Sequence, residues 1–178
     1  MNYFLDTEFT KLPWENNPEL ISIGIVDENN KTLYLCLNNF NEDDVSDFVK
    51  ERVISFLPPK NERVNQEDAI KSLKDFFSDN VPSNFWSIFP RKDHLLGFGI
   101  KEDVIEEILE TYADFDFQLL KKLMKEKYPD NWVQKGANLT PIADKLKSNG
   151  NSPENKKSHD ALSDALWNKD VFDVYHQG

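Results

Sequence analysis

Asp6 and Glu8 stand two residues apart in the stretch Tyr3-Phe4-Leu5-Asp6-Thr7-Glu8-Phe9. In an extended chain, residues i and i+2 point to the same face, so both carboxylates project together from one side of a strand. Two like charges this close repel, and partial burial makes the repulsion worse. A cation between them removes the conflict, and carboxylate oxygens suit Mg²⁺ and Mn²⁺. The pair is therefore expected to form the floor of a divalent-metal site. Most short Asp-x-Glu pairs are simply solvated, so the other ligands must come from elsewhere in the chain.

Three more residues have suitable chemistry. Asp116 lies in Phe115-Asp116-Phe117-Gln118-Leu119-Leu120. Residues 105–113 alternate enough to be read as a strand, and a helix is expected from residue 114. Asp116 is thus placed at a strand-to-helix junction, where α/β sheets hold ligands. Asp93 in Lys92-Asp93-His94-Leu95-Leu96 is its rival. His159 and Asp164 fall at the start of the last helix, which Ser158 is expected to cap. The positive end of the helix dipole disfavours an imidazolium there, which suits a general base. Each of these residues alone reads more simply as a solvated helix-start side chain. His94 and His176 lack such company and are read as surface residues.

Several elements must position these groups. Strands are predicted over 2–8, 19–26 and 32–37, with Asp27-Glu28-Asn29-Asn30-Lys31 as a hairpin turn. Short connections between consecutive strands imply an antiparallel meander. A helix is expected from the Asn41-Glu42-Asp43-Asp44 cap to the Leu57-Pro58-Pro59 stop, and another over 66–77. Residues 80–105 read as an irregular insertion with a short strand near 85–89. Residues 139–146 form a short helix or strand, 149–155 a plain loop.

The chain has 178 residues with 39% hydrophobic and 12% aromatic content, enough for one domain with a real core. No apolar run approaches a membrane span and no signal-like start is visible, so a soluble, cytoplasmic protein is expected. The single cysteine, Cys36, is read as a core thiol. A net charge of −11 argues against a broad phosphate-binding surface. It leaves room for an enzyme that holds a few nucleotides through bound metal ions.

Taken together, Asp6-Thr7-Glu8, Phe115-Asp116-Phe117-Gln118-Leu119-Leu120 and His159-Asp160-Ala161-Leu162-Ser163-Asp164 resemble the DEDDh (DnaQ-like) family of 3′→5′ exonucleases. The text of residues 3–9, Glu19-Leu20-Ile21-Ser22-Ile23-Gly24, Phe48-Val49, Val53-Ile54, Leu57-Pro58 and Tyr112-Ala113-Asp114-Phe115-Asp116 is similar to the small bacterial and phage exoribonuclease group that includes mycobacterial RNase AS. The likeness runs from residue 3 to about 172 and departs at 80–105, where this chain is longer than that group.

The resemblance implies a single exonuclease domain over 1–178 with a ribonuclease H-like α/β fold. Its mixed central sheet, an antiparallel meander of three strands followed by parallel strands, would be flanked by helices. It implies hydrolysis with two Mg²⁺ or Mn²⁺ ions that releases nucleoside 5′-monophosphates. Asp6 would bridge both ions, Glu8 and Asp164 would hold the one that positions water, and Asp116 would help the second. His159 would take the proton from water. The implied substrate is the 3′ end of single-stranded nucleic acid, with RNA preferred. Thr7, Phe9 and Glu19 are candidates for substrate binding: the backbone at residues 7–9 and Glu19 for the terminal sugar, and the Phe9 ring as a wedge or stacking platform. A homodimer is also implied, with exposed aromatics among Phe85, Trp86, Phe89 and Phe98 serving an interface or the groove. Two alternatives compete: the same chemistry on single-stranded DNA, and a binding module without turnover.

Overall fold

The computed structural model describes residues 1–15, 17–77 and 81–177. In β1 (Asn2–Phe9) Tyr3 and Leu5 enter a core that includes Ile23, Leu73, Phe85, Phe117 and Leu120, while Phe4 faces the opposite side with Val26 and Ala165. Asp6 and Glu8 share the Phe4 side by the same alternation. β2 (Leu20–Asp27) is buried along its whole length, as an interior strand without solvated faces must be. It pairs antiparallel with β1, setting Asp6 opposite Gly24 and Glu8 opposite Ser22. A register shift between Glu8 and Phe9 bends the strand end beside the carboxylates. β3 (Thr32–Cys36) pairs antiparallel with β2, and the meander is as expected. Its turn is held by the Asp27 carboxylate, which accepts from the N–H groups of Asn29 and Lys31, both at 2.8 Å. Cys36 is a buried free thiol.

The single helix expected from Asn41 is broken into pieces. Asn41 caps only a 3₁₀ turn, Glu42–Asp44, after which Val45 is extended (φ −109°, ψ 151°). Ser46 then caps α1 (Asp47–Arg52), accepting from the Val49 N–H at 3.2 Å. Asn65 caps α2 (Gln66–Phe76), which lays Ala69, Leu73 and Phe76 on the Tyr3 face of the sheet.

The stretch expected to be an irregular insertion is ordered through its described part, residues 81–105; residue 80 lies outside the described residues. β4 (Asn84–Ser87) runs parallel to β1, followed by α3 (Lys92–Gly97). The strand predicted over 105–113 is instead α4 (Glu102–Tyr112). Ile105, Ile108, Leu109 and Tyr112 follow a 3–4 spacing, and this stripe packs with Leu95 and Trp14. α5 (Phe115–Met124) follows within a short turn, so Asp116 enters from a helix–helix junction and not from a strand. β5 (Ala137–Asn138), unforeseen in the sequence, runs parallel to β4. α6 (Thr140–Ser148) and α7 (Ala161–Gln177) complete the described chain. Among the described residues the sheet order is β3-β2-β1-β4-β5. α2 and α5 cover one face, and α7 covers the other. No helix among the described residues is long and apolar enough to cross a membrane.

Candidate active site

The site forms where β1 loses its partner. β4 pairs with β1 only from Asn2 to Phe4. Beyond that point two backbone groups on the β4-facing edge need other partners, because a buried unpaired group is costly. Asn168 of α7 donates its side-chain amide to the Leu5 carbonyl at 2.9 Å. The Thr7 N–H donates to Asp116 Oδ1 at 3.1 Å, and the Thr7 hydroxyl donates to the same oxygen at 2.6 Å. Asp116 is thereby locked, from a residue 109 positions away, to the strand that carries Asp6 and Glu8.

On the other face α7 lies unusually close to the sheet. A Cβ on Gly24 would sit 2.2 Å from the Ala161 carbonyl oxygen, so only glycine fits opposite Asp6. Ala161 and Ala165 are fully buried, and their small size permits the approach. Asp164, between them on the helix, is thus brought over β1. Asp6, Glu8 and Asp164 each place a carboxylate oxygen within 4.8 Å of the others. Asp116 stands outside this trio.

The loop before α7 shapes the rest. Ser158 does not cap the helix; the Asp160 carboxylate does, accepting from the Ser163 N–H at 3.0 Å. His159 therefore precedes the helix, and its backbone adopts φ +66°, a left-handed conformation uncommon outside glycine. This turn points the His159 N–H at Asp164 Oδ2, 2.8 Å away, while the Asn155 amide donates to the other oxygen. The imidazole meets the Phe48 ring edge-on at 5.0 Å.

The electrostatics are those of crowded anions. Burial, then the charges of Asp116, Glu8, Asp164 and Asp160, holds the Asp6 carboxyl well above the usual carboxylate range. Burial and the Asp164 and Asp116 charges push Glu8 up to about 8. Burial raises Asp116 to about 6 against the opposing pull of the Thr7 hydrogen bonds. Asp164 is raised too, again chiefly by burial. Asp160 differs: burial raises it, but the Lys157 ammonium and the Ser163 N–H more than reverse this and leave it lowered. Four carboxylates that resist ionisation together form an all-oxygen donor set suited to hard divalent cations.

These groups open into a groove of ≈ 540 Å³ that includes Asp6, Glu8, Asp116, His159 and Asp164. The groove also contains Thr7 and Phe9, the latter edge-on to Phe115 at 5.2 Å. Glu19 lies outside it. It lines a separate cavity beside Phe40 and Lys122, and its carboxylate accepts from the Asn41 N–H at 2.9 Å. The Thr7 N–H, expected as a contact for the terminal sugar, is already donated to Asp116. Asp93, the rival to Asp116, is exposed on α3 beside Arg91. Of the four aromatics considered for an interface or the groove, Phe98, 64% exposed, and the largely buried Phe89 line the groove, whereas Phe85 is buried in the core and Trp86 packs with Phe172.

The sequence matches no family profile. It matches no curated protein sequence. Among solved structures it is similar to cell-death related nuclease 4 (CRN-4), with a TM-score of 0.52 at 12% sequence identity over 99% of this chain. The chain spans 64% of the length of that structure. The fold is ribonuclease H-like.

In this ribonuclease H-like frame, Asn155, Asp160 and Asn168 were not foreseen from the sequence, whereas His94 is exposed as expected and also lines the groove. Asn168 had a signal: Ala161, Asp164, Ala165 and Asn168 share one helical face. Asn155, in a loop, had none.

Proposed function

We propose that this chain is a metal-dependent nuclease that removes nucleotides from the 3′ end of single-stranded nucleic acid, RNA in preference to DNA, releasing nucleoside 5′-monophosphates. The observation that carries the reading is the meeting of Asp6 and Glu8 from β1 with Asp164 from α7, their oxygens within 4.8 Å, beside His159 in one open groove. Likeness to a nuclease of the same fold supports it. The resemblance of the three sequence motifs to DEDDh exonucleases, and of the wider text to the RNase AS group, supplies the direction of attack and the sugar preference.

Asp6, Glu8 and Asp164 would hold the divalent ions, two Mg²⁺ or Mn²⁺, with Asp116 assisting from its Thr7-locked position. When bound, such ions neutralise charge at a phosphodiester and make a water more acidic. The remaining work falls to the chain. His159 takes the proton of the attacking water at an imidazole nitrogen. Water oxygen bonds to phosphorus, the P–O3′ bond breaks, and the electron pair stays on the departing 3′ oxygen, which takes a proton from solvent. Asn155 and the His159 N–H hold the Asp164 carboxylate still during this step. Phe9 packs against the terminal base or wedges beside it.

A time course on 5′-labelled single-stranded RNA and its DNA copy with Mn²⁺, for wild type and His159→Ala, tests the reading. A ladder that shortens from the 3′ end, faster on RNA and lost in the variant, is expected. Faster loss of DNA replaces the sugar assignment, and no shortening of either strand overturns the nuclease reading.

A further inference from the structure

Resting on the nuclease reading, we propose that the substrate strand leaves the carboxylate groove through a second, cationic cavity between α3, α6 and α7, where Arg91 and Lys147 hold phosphodiesters upstream of the scissile bond. The groove continues at one end into a cavity of ≈ 380 Å³, and the two share Ile88, His94 and Trp167. Their charges differ. The groove carries Asp6, Glu8, Asp116 and Asp164, whereas the adjoining cavity carries Arg91 and Lys147 against the single carboxylate of Asp144. In a chain of net charge −11, two cations on one cavity beside a metal-binding type of cluster are a specific arrangement.

Arg91 is built into place. Its guanidinium pairs with Asp144, donates to His94 Nε2 at 2.6 Å, and lies 3.7 Å from Asp93, with the side chain 29% exposed. A planar guanidinium held in this way presents a fixed set of donors to phosphate oxygens. Lys147 stands exposed on the last turn of α6, and its ammonium makes no hydrogen bond or ion pair with another described residue. Trp167 donates its Nε1 to the Pro153 carbonyl at 3.0 Å and lines both cavities with its indole. An aromatic ring flanked by cations is the arrangement that holds single strands, with phosphates on the cations and a base on the ring. The order of features fits one strand: terminal phosphodiester at the carboxylates, next base against Trp167, following phosphates at Arg91 and Lys147.

The test is fluorescence anisotropy of 5′-labelled single strands of two and of eight nucleotides, with Ca²⁺ present, for wild type, Lys147→Ala and Arg91→Gln. Each variant is expected to weaken octamer binding about fivefold and to reduce the slope of log K against log salt by about 0.7, the single-strand value for one phosphate contact. The dinucleotide is too short to reach the second cavity, so the ratio of the two affinities falls. Lys147→Ala removes an exposed, unpaired side chain, so it reports on binding even if Arg91→Gln unsettles α3 through Asp144. Equal weakening of both lengths, or none, overturns the path. Displacement of the octamer by polyglutamate as readily as by unlabelled octamer overturns it in favour of an acidic peptide. Hydrolysis is not read in this experiment. A chain that binds the octamer as described but never cleaves it refutes the nuclease reading alone.

Discussion

At the scale of residues, the site is a set of carboxylates held in a state they resist. Glu8 is raised from 4.5 to about 8 and Asp116 from 3.8 to about 6. Both folded values exceed the unfolded ones, so the metal-free fold binds these protons more tightly than the unfolded chain does. The stability they contribute is fully present below the unfolded values and is lost as pH rises through about 6 and then about 8. In EDTA, the melting temperature is expected to fall between about pH 5 and about pH 8.5. Millimolar Mg²⁺ or Mn²⁺ should abolish most of that fall, because the cation replaces the protons. An equal decline with and without metal, followed by calorimetry, would show that these carboxylates do not hold it. Thr7→Val deletes the 2.6 Å bond to Asp116 while keeping the shape of a buried side chain. Activity and Mn²⁺ affinity should drop about 10- to 100-fold, as for other groups that orient a ligand, with little change in the circular dichroism spectrum. His159→Ala should reduce turnover about 10²- to 10⁴-fold yet leave Mn²⁺ affinity near wild type, which separates proton transfer from metal binding.

Elements decide whether those residues meet. Gly24 is the clearest case, since a β-carbon there would press on the Ala161 carbonyl and lift the start of α7 from β2. Gly24→Val is expected to cost about 1–3 kcal/mol, as overpacking does. Activity should fall by more than that loss explains, because Asp164 rides on the displaced helix. Denaturant melts together with kcat measured well below the transition will check this, and full activity in a stably folded variant would refute it. The sequence showed β1 plainly, because alternation over Tyr3, Leu5 and Phe4, Asp6, Glu8 needs no distant partner to be read. It misled at α4, where Ile105 and Leu109 satisfy both a two-residue and a four-residue repeat and only Ile108 and Tyr112 break the tie. The lock between Thr7 and Asp116 was not legible at all: its halves are 109 residues apart, and nothing local to either requires it. Glu19 was drawn into the site by closeness to a strand that, once paired, turns it toward Asn41.

For the whole molecule, the net charge of −11 and the groove ask different things of a polyanionic partner. Under the proposed function, long-range repulsion would slow encounter, and local cations and bound metal would reward arrival. Raising salt from low to moderate concentration should therefore change association less steeply than for a basic nuclease of similar site size, which stopped-flow binding of a labelled octamer will measure. The carboxylates of Asp6 and Glu8 sit on the central strand of the sheet, while His159 and Asn155 sit on the 149–160 loop. Parts of a fold with such unequal packing open at different free energies. Backbone amides of β1 should exchange with deuterium only when the whole protein unfolds, and those of the loop through far smaller excursions. On warming, the chain would then lose the proposed proton acceptor while the sheet still offered Asp6 and Glu8 to a cation, so inactivation should precede the melt.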